Sequence, residues 1–311
     1  MKKRIFIFCT SLLLTLAAFS QRDGNFQMHF IDVGQGDAAL LVSPGGETVL
    51  FDNGVADHCD LVISYLDSIG VTSIDYFICS HYHDDHIGCT EEVFTKFPLR
   101  YLAYDRGSFI KTDIFKEYKE FLGTKRTSAT VGQKLILDKD SNQKVIIEFV
   151  AMNGVGVKTT NENDLSLIAL VHFGELDVLM GGDLSGINSG SYKDIESKVA
   201  EKIGKVEIYK VHHHGSKHSS NAFFLSIIQP KIGIISASGT IGRDHQHPTA
   251  DCLKRLHSAG IFTYWTEIGS GVMPDKRWDK VCGSIKIEME PKSEKFIICP
   301  TKGKVEIQNC Y

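Results

Sequence analysis

Ser80-His81-Tyr82-His83-Asp84-Asp85-His86 follows directly on an apolar run at 74–79 and runs into a helical pattern at 87–97. Histidines at i and i+2 on an extended loop project to the same side, so His81 and His83 can grip one ion together. Asp85 and His86 then point to a second ion beside the first. Imidazole and carboxylate together suit zinc, manganese or iron, with no thiolate in the stretch to favour a soft ion. Loop histidines are usually solvated, but a run this rich in ligands where a strand meets a helix is poorly explained that way.

Upstream of this stretch, three short apolar runs at 28–33, 38–42 and 48–51 are broken by turns at Gly34-Gln35-Gly36-Asp37 and Pro44-Gly45-Gly46. That is the pattern of an antiparallel meander. Gly34 to Asp37 opens a strand rather than a helix and lacks GxGxxG, so it reads as a tight turn and not a phosphate loop. Helical spacing recurs at 61–69, 111–122, 191–203, 221–228 and 250–259, and strand patterns at 145–150, 165–172, 176–181, 206–211 and 231–236. This alternation predicts an α/β sandwich in a single domain. No Pro- or Ser-rich linker interrupts 25–280, and no repeat of fixed period is visible. The reading places the domain at 21–280, with a C-terminal strand extension at 281–311.

The chain of 311 residues is 42% hydrophobic and 23% charged, the composition of a folded globular protein rather than a disordered one. Its net charge of −4 excludes a global basic field for nucleic acid or an anionic membrane. Thirteen histidines are the unusual count, clustered at 81, 83 and 86, at 212, 213, 214 and 218, and at 245 and 247. Residues 1–20 combine Lys2, Lys3 and Arg4 with an apolar core at 5–16 and small residues at Ala18 and Ser20. They read as a signal peptide, too short for a spanning helix, and its removal takes the net charge to −7. No second span follows, so the expected location is secreted or periplasmic. Seven cysteines then remain, an odd number. Cys79 reads as a buried thiol. A disulfide is open among Cys282, Cys299 and Cys310, with Cys252 also unassigned.

The HxHxDH pattern after a strand resembles the signature of the metallo-β-lactamase fold superfamily. The resemblance implies a four-layer αββα sandwich and carries further residues with it. Asp52, in Phe51-Asp52-Asn53-Gly54, matches an aspartate that braces the metal loop. Asp183, in Gly181-Gly182-Asp183-Leu184, matches a carboxylate bridging two ions. The histidine after the next strand lies in His212-His213-His214-Gly215-Ser216, and His213 is taken as the ligand. The implied set is His81, His83 and Asp183 on one ion, with Asp85, His86, Asp183 and His213 on the other. Asp85, Asp183 and His213 are the residues expected at the reacting centre.

Within the superfamily, Asp32 to Ala38, Asn163 to Ser166, His213 to Ser216 and His245-Gln246-His247-Pro248 resemble the hydrolase domain of competence proteins of the ComEC/Rec2 type. The three-histidine run is also similar to that of bacterial phosphorylcholine esterases. Both resemblances imply phosphodiester chemistry: two divalent ions, Zn²⁺ or alternatively Mn²⁺, would lower the pKa of a shared water toward neutrality and polarise a phosphoryl oxygen. His212, His214, His247, Asn163 and Ser166 are the expected substrate contacts. Competence-type domains usually carry aspartate where this chain has His83. The β-lactamases of the fold carry another histidine before the bridging aspartate, whereas between 87 and 182 this chain has only His172, in mid-strand. The expected partner is therefore a small or polymeric phosphodiester, with nucleic acid as substrate only. The alternatives are a lactonase or β-lactamase-like hydrolase and a non-catalytic metal-binding surface protein.

Overall fold

The computed structural model describes residues 24–240 and 245–311; the signal peptide expected at 1–20 lies outside the described residues. The first three strands, β1 (Phe26–Phe30), β2 (Ala38–Val42) and β3 (Thr48–Asn53), pair antiparallel in succession. Every residue in them is buried: β2 is a continuous apolar run, while β1 alternates apolar residues with the buried polar Gln27 and His29. The next three, β4 (Tyr76–Ile78), β5 (Ala103–Asp105) and β6 (Arg126–Ser128), join the sheet in parallel. Parallel neighbours need crossovers. These are supplied by α1 (Cys59–Ser68), by α2 (Asp84–Ile87) with α3 (Thr90–Lys96), and by α4 (Asp113–Leu122).

The second half repeats this plan. An antiparallel set, β7 (Lys134–Leu137), β8 (Val145–Ala151), β9 (Ile168–Phe173) and β10 (Leu176–Met180), leads into a parallel set. That set is β11 (Ile208–Lys210), β12 (Ile232–Ile235), β13 (Phe262–Trp265) and β14 (Asp279–Val281). Its helices are α5 (Glu196–Ile203), α6 (Ala222–Ile228) and α7 (Ala250–Ser258). The start of α7 shows why: the Thr249 side chain caps the Cys252 N–H, and Cys252, Leu253 and Leu256 form the buried stripe.

The chain then returns to the first sheet through β15 (Ile285–Met289), β16 (Lys295–Pro300) and β17 (Glu306–Asn309). The first sheet has the order β17-β16-β15-β1-β2-β3-β4-β5-β6, and the second β14-β13-β12-β11-β10-β9-β8-β7. Facing side chains of both sheets form one apolar layer; α1, α3 and α4 cover the first sheet with a second, and α5 to α7 cover the other sheet with a third. The expected αββα sandwich is therefore the observed architecture. The C-terminal strands are integral to it: Ile285, Ile287, Met289, Phe296 and Ile298 all lie in the central layer.

The cysteines require a correction. The disulfide joins Cys59 at the start of α1 to Cys89 just before α3, while Cys252, Cys282, Cys299 and Cys310 are free thiols. The C-terminal cysteines lie on strands whose register sets no two of them opposite each other. Cys79 is buried, and burial pushes its thiol pKa up.

Candidate metal centre

The centre lies past the carboxyl ends of β4, β10, β11 and β12, where open α/β sheets place their ligand sites. From β4 the chain enters Ser80 to His86, and the backbone turns so that the His81 and His83 rings meet. His81 Nε2 lies 3.0 Å from His83 Nδ1. The other His81 nitrogen, Nδ1, donates to Ser80 Oγ at 3.1 Å, and that hydroxyl in turn donates to Asp52 Oδ2 at 2.7 Å. His81 Nε2 is thus left with its lone pair facing His83.

Asp52 sits at the end of β3 with a left-handed backbone, φ 51°. It accepts the Ser80 N–H at 2.7 Å and the His86 Nδ1–H at 2.8 Å. Bracing the metal loop is what its side chain does here. His86 Nε2 is left without a hydrogen-bond partner, fully buried, 3.4 Å from Asp183 Oδ1 and 3.8 Å from Asp85 Oδ1. Asp183 follows β10 through Gly181 and Gly182. At Gly182, with φ 53°, a Cβ would sit 2.5 Å from Ser80, so only glycine lets this loop approach the metal loop.

The three-histidine run forms a 3₁₀ turn after β11 in which His213 and His214 both take φ near 51°. The three rings consequently diverge. His214 Nδ1 donates to the Ser236 carbonyl at 3.1 Å, and its Nε2 lies 3.3 Å from Asp85 Oδ2 and 3.4 Å from Asp183 Oδ1. His213 is the residue expected as the ligand beside Asp85 and His86, but here it is His214 Nε2 that lies against both Asp85 and Asp183. His213 Nε2 approaches Asp183 only on its other oxygen, at 3.6 Å, and its ring faces the cleft against Asn163.

Two further expectations change. His212 is fully buried and donates from Nδ1 to Glu196 Oε1 at 2.8 Å, so it faces the core and not the cleft. Ser166 is also fully buried, its hydroxyl donating to the Asn163 carbonyl at 2.8 Å. Asn163 and His247 line the cleft. His172 lies apart on β9, paired with Asp177 at 2.7 Å.

The donor set fits divalent cations. Ligand atoms of a four-coordinate ion with bonds of 2.0–2.2 Å stand about 3.3–3.5 Å apart. The spacings among His86 Nε2, His214 Nε2, Asp85 and Asp183, from 3.3 to 3.8 Å, are of that order. His86 Nε2, His214 Nε2 and Asp183 Oδ1 are all buried without hydrogen-bond partners. The electrostatics agree. Burial opposes ionisation of Asp183, yet His214, His213 and His86 hold its carboxyl well below the usual range. Burial likewise opposes charge on His214, but Asp183 and Asp37 raise it to about 10. The cluster of carboxylates attracts positive charge.

The cleft above this centre has a volume of about 450 Å³. Besides His83, Asp84, Asp85, Asp183 and His214, its lining includes Gln35, Asn163, Tyr192, His213, His245 and His247. Sequence reasoning missed several of its supports. The Gly34 to Asp37 turn is tight, as read, but it also packs on the metal loop. Its Asp37 N–H donates to the Asp85 carbonyl at 3.1 Å, and Gln35 Nε2 lies 3.3 Å from His247 Nδ1. Lys210, at the end of β11, is buried and pairs with Asp37 at 2.7 Å. The Asp32 to Ala38 wording pointed to this turn; a lone lysine in a strand carried no signal. His218 stacks on Tyr192 with ring centroids 4.0 Å apart.

Residues 31–239 match the family described as the Metallo-beta-lactamase superfamily. The chain belongs to the metallo-beta-lactamase superfamily. Among curated proteins it is 29% identical over 254 residues to recombination protein 2 of Haemophilus influenzae, covering 79% of this chain and 28% of that one. It is 22% identical over 270 residues to ComE operon protein 3 of Bacillus subtilis, covering 81% and 34%. The chain thus spans about a third or less of the length of the curated relatives it matches. It is also 26% identical over 244 residues to competence protein ComA of Neisseria gonorrhoeae, covering 78% and 31%. In structure it is similar to CmlA, a diiron β-hydroxylase from Streptomyces venezuelae, with a TM-score of 0.53, 13% identity, and coverage of 85% of this chain and 54% of that one. That likeness concerns the fold of this superfamily member and not its reaction.

Proposed function

We propose that the chain is a secreted, binuclear, metal-dependent phosphodiesterase. The observation that carries this reading is the convergence of six donors, His81, His83, Asp85, His86, Asp183 and His214, at the floor of one cleft. His81 and His83 would hold one ion, and Asp85, His86 and His214 the other, with Asp183 reaching both. Two such ions supply a lowered water pKa and an electrophile for phosphoryl oxygen; Zn²⁺ suits the donors, and Mn²⁺ is the alternative.

The chain's own residues do the rest. Asp52 and the Ser236 carbonyl hold the protons on His86 Nδ1 and His214 Nδ1, which keeps each Nε2 free to bind. Asn163 presents an amide to the cleft on the side where a further histidine is lacking. With Gln35 and Tyr192 it supplies neutral donors suited to orienting phosphate oxygens. The names of the curated relatives, recombination and competence proteins, favour a nucleic acid among phosphodiesters, while the net charge favours a small headgroup ester. The Cys59–Cys89 disulfide supports an oxidising compartment. Among the described residues no helix is long and apolar enough to cross a membrane.

The test is a substrate panel on protein reconstituted with zinc or manganese: bis-nitrophenyl phosphate, DNA, a phosphocholine ester, a lactone and a chromogenic cephalosporin. Phosphodiester cleavage abolished by His83→Ala and by Asp85→Ala supports the proposal. Cephalosporin cleavage with all phosphodiesters untouched overturns it. A nuclease would lose activity steeply with added salt, and a headgroup esterase would not.

A further inference from the structure

His81 and His83 can meet only if the residue between them points away and its backbone is held. Tyr82 does point away: its side chain is buried, 1% exposed, beneath the α4 side of the first sheet, against Phe115 and Tyr118. Arg106 lies over its ring at 4.4 Å, and Arg126 Nη2 donates to its hydroxyl at 3.1 Å. The Tyr82 N–H donates to Glu162 Oε1 at 3.0 Å. Glu162 is itself gripped by Arg106, whose Nε donates to Oε1 at 3.0 Å and Nη2 to Oε2 at 2.6 Å. The remaining Arg106 nitrogen, Nη1, donates to Asn153 Oδ1 at 3.2 Å, and Asn153 Nδ2 donates back to the Arg106 carbonyl at 2.9 Å.

This arrangement has a direction. Arg106 follows β5 in the first sheet, whereas Asn153 and Glu162 belong to the β8–β9 connection of the second. The residue after Glu162 is Asn163, which lines the cleft. One forked ion pair, 2% exposed on the arginine and 10% on the glutamate, therefore ties the backbone between two candidate ligands to the segment that carries Asn163 into the cleft. A stabilising pair between sheets would have no need to end on the N–H between His81 and His83.

We propose that Glu162 and Arg106 are positioning residues that set the bite of His81 and His83, so that the clamp controls one ion of the pair and not the other. The inference rests on the two-ion reading above. It is tested by titrating zinc into the wild-type protein and its variants against a chromophoric chelator, with thermal unfolding measured alongside. Wild type is expected to take up two ions. Glu162→Ala is expected to lower the affinity for one of them about tenfold to a hundredfold and leave the other unchanged. Because that variant strands a buried arginine, the double variant Glu162→Ala/Arg106→Met, which removes both charges, is measured too and should behave alike. Glu162→Gln, which keeps an acceptor for the Tyr82 N–H, should restore most of the affinity. Equal loss of both ions, unchanged binding of both in the double variant, or no rescue by glutamine would overturn the clamp. A wild-type protein that binds fewer than two ions would instead overturn the two-ion reading itself.

Discussion

His213 and His214 share a left-handed backbone and differ in what their rings reach. The Ser236 carbonyl fixes His214 with its Nε2 toward Asp85 and Asp183, whereas His213 lies against the Asn163 amide and faces the cleft. His214→Ala should therefore reduce bound zinc from two ions to one, and His213→Ala should retain both while weakening substrate binding; metal analysis after dialysis separates the two. Asp52→Ala removes three hydrogen bonds that orient His86 and Ser80, and should weaken metal binding about tenfold to a hundredfold by the same titration. Much of this site was legible in the sequence because His81, His83, Asp85 and His86 are neighbours on one loop. The choice within three consecutive histidines was not. It depends on where β12 delivers a carbonyl, 22 residues later in the chain. Glu162, Arg106 and Lys210 were invisible for a similar reason, being charged residues whose buried partners come from the other sheet.

At the scale of elements, β1 carries a testable pH dependence. His29 is buried between Tyr65, at 3.0 Å from Nδ1, and Gln27, at 2.9 Å from Nε2. Burial, reinforced by Lys286, lowers its pKa to about 3 from 6.5. Its contribution to stability is complete above pH 6.5 and is lost as pH falls from there toward 3, because the unfolded state takes up the proton first. The loss should reach about 2 kcal/mol by pH 5, and urea unfolding of His29→Gln should show a correspondingly flatter pH dependence between 7 and 5. The C-terminal strands make a second case. Ile287 on β15 is fully buried opposite Met28 of β1, so Ile287→Ala should cost about 2–5 kcal/mol in the same assay. A peripheral hairpin would lose far less. Strands β1 to β3 and β8 to β12 announced themselves through short, largely apolar runs bounded by turns or helical patterns. Strands β5 and β6 did not, having three residues each and polar ends that pair in the network around Tyr82.

The whole molecule is two meander-plus-crossover halves whose strand ends meet at one site, closed by strands that return from the second half to the first sheet. The Cys59–Cys89 disulfide ties the segment behind Val55 and His58, which line the cleft, to the start of α3. Replacing both cysteines by serine should cost about 2–4 kcal/mol of stability, read from denaturant midpoints under oxidising conditions. Fold class was readable at this scale because both halves alternate strands and helices. The pairing of cysteines was not, since Cys59 and Cys89 meet only after α1, β4 and the metal loop are in place. The proposed centre is a pair of ions that would share Asp183. Anomalous diffraction from crystals of the zinc-loaded protein tests it directly. Two peaks are expected, one about 2.0–2.1 Å from His81 Nε2 and His83 Nδ1, the other at such distances from His86 Nε2 and His214 Nε2, with an Asp183 oxygen on each. A single peak, or a second peak bound by His213 with His214 left out, would contradict it.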